Sequence, residues 1–363
     1  MNRILIVGAG VAGLLTAYKL SDSYNVNIVE SKRDVRERAE YASGILSENA
    51  SSYIKAIADI KHLDILKKVI LHTRKETATI EFSYPKAYVF DRRELVYKLY
   101  EKVKNKADIK LGYRVDPKEL RYLSKDYDLI IGADGFNSTV AYSFRLPSIE
   151  RYLLTYKMEL NADIKDNTAH IYLDNINERG FIGWSLSYSN VIELGYGINK
   201  SLSRPSSYYK HWILEKLSYY GLDKDSNRSE HASVIPYIPR RITGYKNIAL
   251  IGDAAGQVKL YTGGGIAYIE RCIELLYESV KRYFSNGIDM SYYDRLWKSR
   301  LRYDLLMNRL LSYAYMHLDE SIFSLILKGI NNKYINRMIV RYADMDSISL
   351  SIRNMLLRRS TGQ

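Results

Sequence analysis

The first thirty residues constrain the fold more than any other stretch of the chain. Arg3 to Val7 is a short apolar run of the kind that forms a buried strand. Gly8-Ala9-Gly10-Val11-Ala12-Gly13 follows without a spacer, and Leu14 to Leu20 then continues with helical spacing. G-x-G-x-x-G means little alone, but between a strand and a helix each glycine has a task. Gly8 permits a tight turn, Gly10 lets a pyrophosphate reach the backbone, and Gly13 allows close packing of helix on strand. A second strand, Asn25 to Val29, ends at Glu30, with Ser31 next to it. An acid at that point is placed to bind ribose hydroxyls. The chain therefore begins as a βαβ unit with the signature of a dinucleotide site.

Two later stretches extend this pattern. Tyr127 to Ile131 reads as a buried strand running into Gly132-Ala133-Asp134-Gly135-Phe136-Asn137-Ser138. Ile248 to Ile251 reads as another, followed by Gly252-Asp253-Ala254-Ala255-Gly256. Thr262-Gly263-Gly264-Gly265 then opens a long apolar-periodic helix, Ile266 to Phe284. A helix start of this kind exposes unpaired N–H groups and a positive dipole end, which suit an anion. Taken singly, these stretches also read as an ordinary Asp-Gly turn and a tight glycine turn ahead of a core helix. Their order along the chain decides between the readings. G-x-G-x-x-G, Asp91-Arg92, Gly-Ala-Asp-Gly-x-x-Ser and Gly-Asp-Ala-Ala-Gly together resemble the FAD-dependent oxidoreductases of the p-hydroxybenzoate hydroxylase type. Within that group, GDAAGQV…TGGGI resembles the geranylgeranyl reductase family. The resemblance covers most of residues 1 to 285.

The resemblance implies FAD as cofactor. It places Gly8, Gly10, Val11, Ala12, Gly13, Glu30, Ser31, Arg92, Asp134, Gly135, Gly252, Asp253, Gly263, Gly264, Gly265 and Ile266 in the cofactor-binding set. Gly10, Gly13, Glu30 and Arg92 are expected to hold the ADP half, with Arg92 also a partner for ribityl oxygens. Asp253 is expected to meet the ribityl or pyrophosphate region. The Gly263 to Gly265 N–H groups are expected to face the N1/O2 edge of the ring. Arg92 sits near a helix start, where the dipole does not favour a cation, and that misfit points to a ligand.

Flavin supplies the chemistry in such proteins, so no catalytic side chain is assigned; Gly44, Trp184, Thr262 and Gly264 are the pocket candidates. The reductase family carries a cysteine in the loop Tyr41-Ala42-Ser43-Gly44-Ile45-Leu46-Ser47. Here its place falls on Tyr41 or Ala42, and the thiol is absent. Gly44 either approaches the flavin or belongs to a plain linking loop. Gly180-Phe181-Ile182-Gly183-Trp184-Ser185-Leu186 resembles the reductases' Tyr-x-Trp-x-Phe-Pro segment, with Ile182, Leu186 and Ser187 replacing Tyr, Phe and Pro. Trp184 reads as a pocket wall or as core packing.

Composition bounds the rest. The chain has 363 residues, enough for two domains, and its 47% apolar content suits a soluble globular protein. No run approaches the ~20 apolar residues of a membrane span. A single cysteine, Cys272, excludes an internal disulfide, suits a reducing cytoplasm and reads as a buried helical residue. The net charge of +13 favours polyanions or anionic membrane surfaces, but Lys and Arg are scattered and no nucleic-acid motif is present. The six histidines have no metal-ligand spacing, so no metal is expected.

The expected fold is α/β: a Rossmann-like FAD-binding domain with an inserted antiparallel β-sheet substrate domain and a helical C-terminal part. Its divisions are 1–150 with 240–285, then 151–239, then 286–363. Residues 51–61 and 63–69 read as short helices, and 77–82 and 87–90 as strands. A helix is expected from Asp91 to about Lys104. Strands are expected over 153–164, 169–173, 181–186, 191–198 and 232–237, and a helix over 203–220 with Ser203 as cap and Pro205 in its first turn. The tail reads as helices over 292–315, 320–328, 333–343 and 347–358.

The implied reaction is reduction of a carbon–carbon double bond in an isoprenoid lipid. The electron donor is NAD(P)H or a small redox protein, since no second G-x-G-x-x-G marks a stable nicotinamide site. A flavin monooxygenase or halogenase uses the same fold and is the alternative; a non-catalytic FAD-binding protein is a third reading. The last helix, capped by Asp346 with Ile348, Ile352, Met355 and Leu356 on one face and Arg353, Arg358 and Arg359 near its end, reads either as ordinary packing or as a peripheral contact with an anionic membrane.

Overall fold

The computed structural model describes residues 2–163, 167–174, 176, 180–199, 206–222 and 227–357. In chain order its strands are β1 (Arg3–Val7), β2 (Asn25–Val29), β3 (Ile45–Ser47), β4 (Asp64–Leu66), β5 (Lys68–His72), β6 (Thr77–Glu81), β7 (Ala87–Val89), β8 (Asp108–Lys110), β9 (Leu129–Gly132), β10 (Tyr152–Asn161), β11 (Thr168–Tyr172), β12 (Gly183–Tyr188), β13 (Val191–Asn199), β14 (Asn227–Pro236), β15 (Gly244–Tyr245) and β16 (Ile248–Leu250). The chain divides into two compact units. The first is Met1–Lys61, Phe90–Tyr152 and Ile235–Leu305; the second is His62–Val89, Leu153–Val234 and Leu306–Gln363.

The first unit is built on a six-stranded sheet of order β15-β16-β9-β1-β2-β8. All its neighbours are parallel except the short β15–β16 pair. Strands of such a sheet are covered on both faces, which accounts for the unbroken apolar runs ILIV, after the exposed Arg3, and LIIG. Leu5, Val7, Ile130, Ile248 and Leu250 pack with Leu120 and Val140, from the helices Pro117–Leu123 and Thr139–Ser143. The helix Val11–Leu20 packs with Arg92–Val103 and Ile266–Asn286. Register does the positioning. Val29, Val7, Gly132 and Leu250 lie in one transverse row, so the segments that leave these four strands emerge side by side. In parallel sheets this carboxyl edge is where ligands bind.

The second unit carries a seven-stranded sheet of order β14-β10-β13-β12-β11-β5-β6. β10, β13, β12 and β11 form an antiparallel run, and β5–β6 is a further antiparallel pair. The junction between β11 and β5 is parallel, so the sheet is mixed where an all-antiparallel one was expected. Met158, Ile192, Leu194 and Tyr196 bury one face of it with Trp212, Ile213 and Leu217 of the helix Ser206–Tyr219. Gly183 is small because Trp212 lies over it: a Cβ there would come within 2.6 Å of the indole. Ser203 and Pro205, expected at this helix start, lie outside the described residues.

Several local expectations need correction. Residues 63–69 are not a helix. They hold β4 and the start of β5, because Val69-Ile70-Leu71 finds a parallel partner in β11. Residues 62–89 therefore belong to the second unit, although they were expected within the first. The long helix expected over 292–315 is two, Ser291–Arg300 and Arg302–His317, broken at the buried Leu301. At the start of the helix Ile348–Leu357, Ser347 Oγ accepts from Leu350 N at 3.0 Å. Ile352 and Leu356, on the apolar face read as packed or as facing a membrane, are exposed, while Ser351 is buried. Arg358 and Arg359 lie outside the described residues.

Candidate cofactor site

At the carboxyl edge of the first unit's sheet, four segments far apart in sequence come together. Gly8 leaves β1 with φ +106°, and a Cβ there would lie 2.5 Å from Ala133 O. A Cβ on Gly13 would lie 1.9 Å from Gly8 O. These two glycines are fixed by backbone against backbone. Gly10 differs: nothing lies within 4 Å of its Cβ position. It is also the N-cap of the helix Val11–Leu20, and no side chain caps that end. The first N–H groups of a helix have no intrahelical acceptor, so this end presents donors and a positive dipole on Gly10's open side.

Glu30 is buried against the same loop. Its Oε2 accepts from Ala9 N at 2.7 Å, and its Oε1 from Lys32 N at 2.9 Å and Ser31 Oγ at 3.1 Å. These bonds fix the carboxylate beside the glycine loop. Each oxygen keeps acceptor capacity, which sugar hydroxyls can use. Ser31 enters as a support for Glu30.

From β9, Asp134 accepts from Val140 N at 3.0 Å through Oδ2, while Oδ1 is buried without a hydrogen-bond partner. Burial raises its pKa, opposed by the Ser138 hydroxyl and the neighbouring backbone N–H groups. Gly135 has φ +79° and an open Cβ side. Ser138 caps the following helix by accepting from Ala141 N at 3.0 Å.

From β16, Gly252 turns with φ +66°, and a Cβ there would meet Ala12 Cβ at 2.8 Å. The Gly-Asp-Ala-Ala-Gly turn thus packs directly on the helix start of the first loop. The fully buried Gln257 holds this turn, accepting from Gly252 N at 2.9 Å and donating to Tyr293 OH at 2.8 Å. Asp253 faces Arg92, which begins the helix Arg92–Val103 behind its cap Asp91. Burial pushes Asp253 up to about 6, against the pull of the Arg92 charge. Burial pushes Arg92 down to about 10, against the pull of Asp253. Both residues are only half-buried by surface, but Arg92 Nε is sealed from solvent without a hydrogen-bond partner. At neutral pH the guanidinium is still charged, so a cation and two orphaned polar atoms, Arg92 Nε and Asp134 Oδ1, lie on the segments that border Gly10's loop.

The Thr262 to Gly265 loop is clamped by Lys259, whose N donates to Gly264 O at 3.0 Å and whose O accepts from Gly263 N at 2.8 Å. Gly264 N makes a long contact of 3.4 Å to Thr262 Oγ1. The Gly263 N–H is thus committed within the loop. What the loop offers outward is the start of the helix Ile266–Asn286, capped by Gly265 without any side chain. Asp253 Oδ1 lies 3.6 Å from Gly265's Cβ position, which puts the carboxylate at this helix start.

Two of the expected pocket residues, Gly44 and Trp184, make close packing contacts. Gly44 packs on the backbone of Phe90: a Cβ would lie 2.0 Å from Phe90 O, and Phe90 N donates to Gly44 O at 3.0 Å. It therefore fixes the segment leading to Arg92. Trp184 belongs to the second unit, where its indole covers Gly195 and its Nε1 donates to Glu193 Oε1 at 2.8 Å. Cys272 is fully buried, which pushes its thiol pKa up.

Arg240 was not identified from sequence. It is almost fully buried, donates through Nε to Ala254 O at 2.8 Å and through a second guanidinium nitrogen to Pro147 O, and feels the charge of Asp134. It thereby ties the Asp253 turn to the segment at Pro147, with hydrogen bonds from a charged group worth about 1.5–3 kcal/mol each. Pro239 before it was the nearest signal in the sequence. The residues present fit a dinucleotide carrying phosphate and ribose: open backbone at Gly10, two uncapped helix starts, Glu30, and the Arg92 guanidinium.

No family model matches the chain. An uncharacterised protein of Methanocaldococcus jannaschii is 22% identical over 97% of this chain and 95% of its own length. The digeranylgeranylglycerophospholipid reductase of Methanococcus vannielii is 22% identical over 85% of this chain and 84% of its own. Among solved structures, a geranylgeranyl bacteriochlorophyll reductase-like protein from Thermoplasma acidophilum superposes with a TM-score of 0.79 at 15% identity, covering 97% of this chain and 96% of that one. PqsL, a probable FAD-dependent monooxygenase from Pseudomonas aeruginosa, gives 0.63 at 13% identity over 90% and 100%. Halogenase PltM, solved in complex with FAD, gives 0.65 at 14% over 99% and 92%. The chain thus shares its fold with these solved structures, and its expected helical C-terminal part is present.

Proposed function

We propose that the chain, similar over most of its length to archaeal reductases of geranylgeranyl lipids, is an FAD-dependent enzyme that reduces carbon–carbon double bonds of an isoprenoid lipid. The observation that carries this reading is the single row of strand ends that brings the Gly8–Gly13 loop, Glu30, Asp134 and the Gly252–Asp253 turn to one edge, with orphaned polar atoms on Arg92 and Asp134. When bound, reduced FAD supplies hydride to the alkene. The protein binds and orients it. Gly10 and the first turn with Val11, Ala12 and Gly13 take the pyrophosphate, and Glu30, held by Ala9 and Ser31, takes ribose hydroxyls. Arg92 neutralises phosphate or meets ribityl oxygens, and Asp253 fixes the ribityl region. Gly264, Gly265 and Ile266 aim a helix N-terminus at the flavin ring, where a dipole favours negative charge and hence hydride delivery.

In this reading the first unit is the FAD-binding domain. The sheet of the second unit serves the substrate, with Trp184 as an apolar wall. No thiol stands at Tyr41 or Ala42, so the proton comes from water or another side chain. The electron donor is NAD(P)H or a small redox protein, engaged transiently. No helix among the described residues is long and apolar enough to cross a membrane, and the lipid is reached from the bilayer surface.

The test is purification followed by a visible spectrum, FAD titration and mass spectrometry of any lipid that copurifies. A yellow protein with non-covalent FAD and an isoprenoid lipid is the expected result. A colourless protein that binds neither FAD nor FMN overturns the reading. Oxygen uptake in step with hydroxylation or halogenation of a substrate moves it to the monooxygenase or halogenase class, whose members share this fold.

A further inference from the structure

The helices that follow residue 319 leave several large apolar residues exposed. In Glu320–Ile330, Phe323, Ser324 and Leu327 face inward and Ser324 Oγ bonds to Thr73 Oγ1 at 2.8 Å, while Ile322, Leu325 and Ile326 face solvent, Leu325 with 69% of its surface exposed. The next helix, Lys333–Tyr342, has no buried residue at all. It is attached through Asn336, whose Nδ2 donates to Thr79 O at 2.7 Å, as Asn331 Nδ2 donates to Thr77 O at 2.8 Å. Both asparagines occupy backbone carbonyls of β6, the edge strand of the second unit's sheet. Met338, Ile339 and Val340 are half-buried beside Asn336, while Lys333, Arg337 and Arg341 are exposed, with Tyr334 61% exposed and Ile335 exposed beside them. In the last helix, Ile352 and Leu356 also face solvent.

Charge separates the partners this surface suits. No acidic residue occurs between Glu320 and Asp344. Lys333, Arg337 and Arg341 recur every fourth residue and are all exposed, so they form one cationic edge beside the apolar residues. Of the two acids that bound the stretch, Glu320 is engaged with Arg74, and Asp344 accepts from the Asp346 and Ser347 N–H groups. A second copy of the chain meeting this patch across a two-fold axis sets the same cations against one another with no acid between them. A bilayer with anionic headgroups takes the cations at headgroup level and the leucine and isoleucine side chains at the acyl boundary.

We propose that the surface formed by the helices Glu320–Ile330 and Lys333–Tyr342 seats the protein on an anionic membrane, and that this pair of helices, rather than the C-terminal helix alone, is the contact. The inference rests on the lipid-reductase reading for its purpose, since an isoprenoid lipid lies in a bilayer. Its physical basis is independent of that reading. Each cation near such a surface contributes about fivefold to partitioning, equivalent to about 1 kcal/mol.

The test is flotation of the full chain, with its FAD, on vesicles of phosphatidylcholine alone and of phosphatidylcholine with phosphatidylglycerol. Selective binding to the anionic vesicles, reversed by salt, is expected. Lys333→Ala, Arg337→Ala and Arg341→Ala together are expected to lower partitioning roughly a hundredfold. Leu325→Glu with Ile326→Glu, at positions already exposed, is expected to lower it at least tenfold while circular dichroism and FAD content stay unchanged. A version ending at Ala343 is expected to keep most of the binding. Equal binding to both vesicle types, binding untouched by either set of substitutions, or concentration-dependent self-association abolished by the same substitutions overturns the proposal. Loss of vesicle binding with FAD retained and substrate reduced leaves the enzymatic reading standing; vesicle binding without FAD does the reverse.

Discussion

Replacing Gly10 and Gly13 separately divides what the first loop does for the fold from what it does for the ligand. A Cβ at Gly13 lies 1.9 Å from Gly8 O, where anything under 3.0 Å forces a shift, and here both parties are backbone. Gly13→Ala must therefore push the helix Val11–Leu20 off β1 by about 1 Å. Overpacking costs about 1–3 kcal/mol, with backbone on both sides placing this case at the upper end, about 2–3 kcal/mol, and the helix propensity gained by replacing glycine returns about 1 kcal/mol. The net expectation is a loss of about 1–2 kcal/mol in flavin-free stability, together with loss of FAD. Gly10→Ala meets nothing within 4 Å, and its backbone, φ −74° and ψ −176°, suits any residue. Its flavin-free stability should change by less than about 1 kcal/mol, the scale of an N-cap effect. The new methyl nevertheless stands where a pyrophosphate must approach. FAD affinity should fall at least tenfold, about 1.4 kcal/mol. Urea unfolding of the flavin-free proteins and fluorescence titration with FAD measure the two quantities. Wild-type affinity in Gly10→Ala would refute close backbone approach at that position. Wild-type stability in Gly13→Ala would refute the packing argument.

Three further outcomes follow from the site and the second unit. Burial raises Asp253 to about 6, so the fold binds its proton more tightly than the unfolded chain; flavin-free stability should fall as pH rises from about 4 to about 6, and Asp253→Asn should remove that slope and add about 1–2 kcal/mol above pH 6, after allowance for partial exposure, as read by thermal melts across pH. His72 is held down at about 4 by burial, by His170 at 2.9 Å and by the Lys216 charge, so the unfolded chain takes up its proton first and stability should be lost as pH falls from about 6.5 to about 4; His72→Gln should flatten that loss by about 1–2 kcal/mol, and an unchanged slope would count against the assignment. Gly195→Ala sets a Cβ 2.2 Å from the Trp184 indole and should cost about 1–3 kcal/mol in urea, with most of it recovered in the double variant with Trp184→Leu; equal losses in single and double variants would show that the indole is not what crowds this position.

What could be read from the sequence was what local spacing encodes. Gly8, Gly10 and Gly13 fit one strand–turn–helix geometry, and Asp91 marked a helix start that the structure places one residue later, at Arg92. The row that aligns Val29, Val7, Gly132 and Leu250 depends on pairing across more than a hundred residues, and only the order of the motifs hinted at it. The parallel pairing of β5 with β11 left no local signal, so the short apolar run at 63–69 resembles a helix in sequence. Arg240 and Gln257 act through carbonyls and amides brought close only by folding. Gly44 has the look of a residue making room for a ligand, whereas Phe90 supplies a backbone reason for it. The last helix misleads in the opposite way: an apolar stripe normally marks the packed face, but here Ile352 and Leu356 face out and Ser351 faces in.

The most direct measurement of the central claim is a single anaerobic turnover. The purified protein, reduced with dithionite and freed of excess reductant, should keep its reduced flavin spectrum until a geranylgeranyl lipid is added. It should then reoxidise with one double bond saturated per flavin, seen as a gain of two hydrogens by mass spectrometry. A flavin that stays reduced with every isoprenoid lipid offered, and reoxidises only when oxygen is admitted with oxygen or halide appearing in a product, would contradict it.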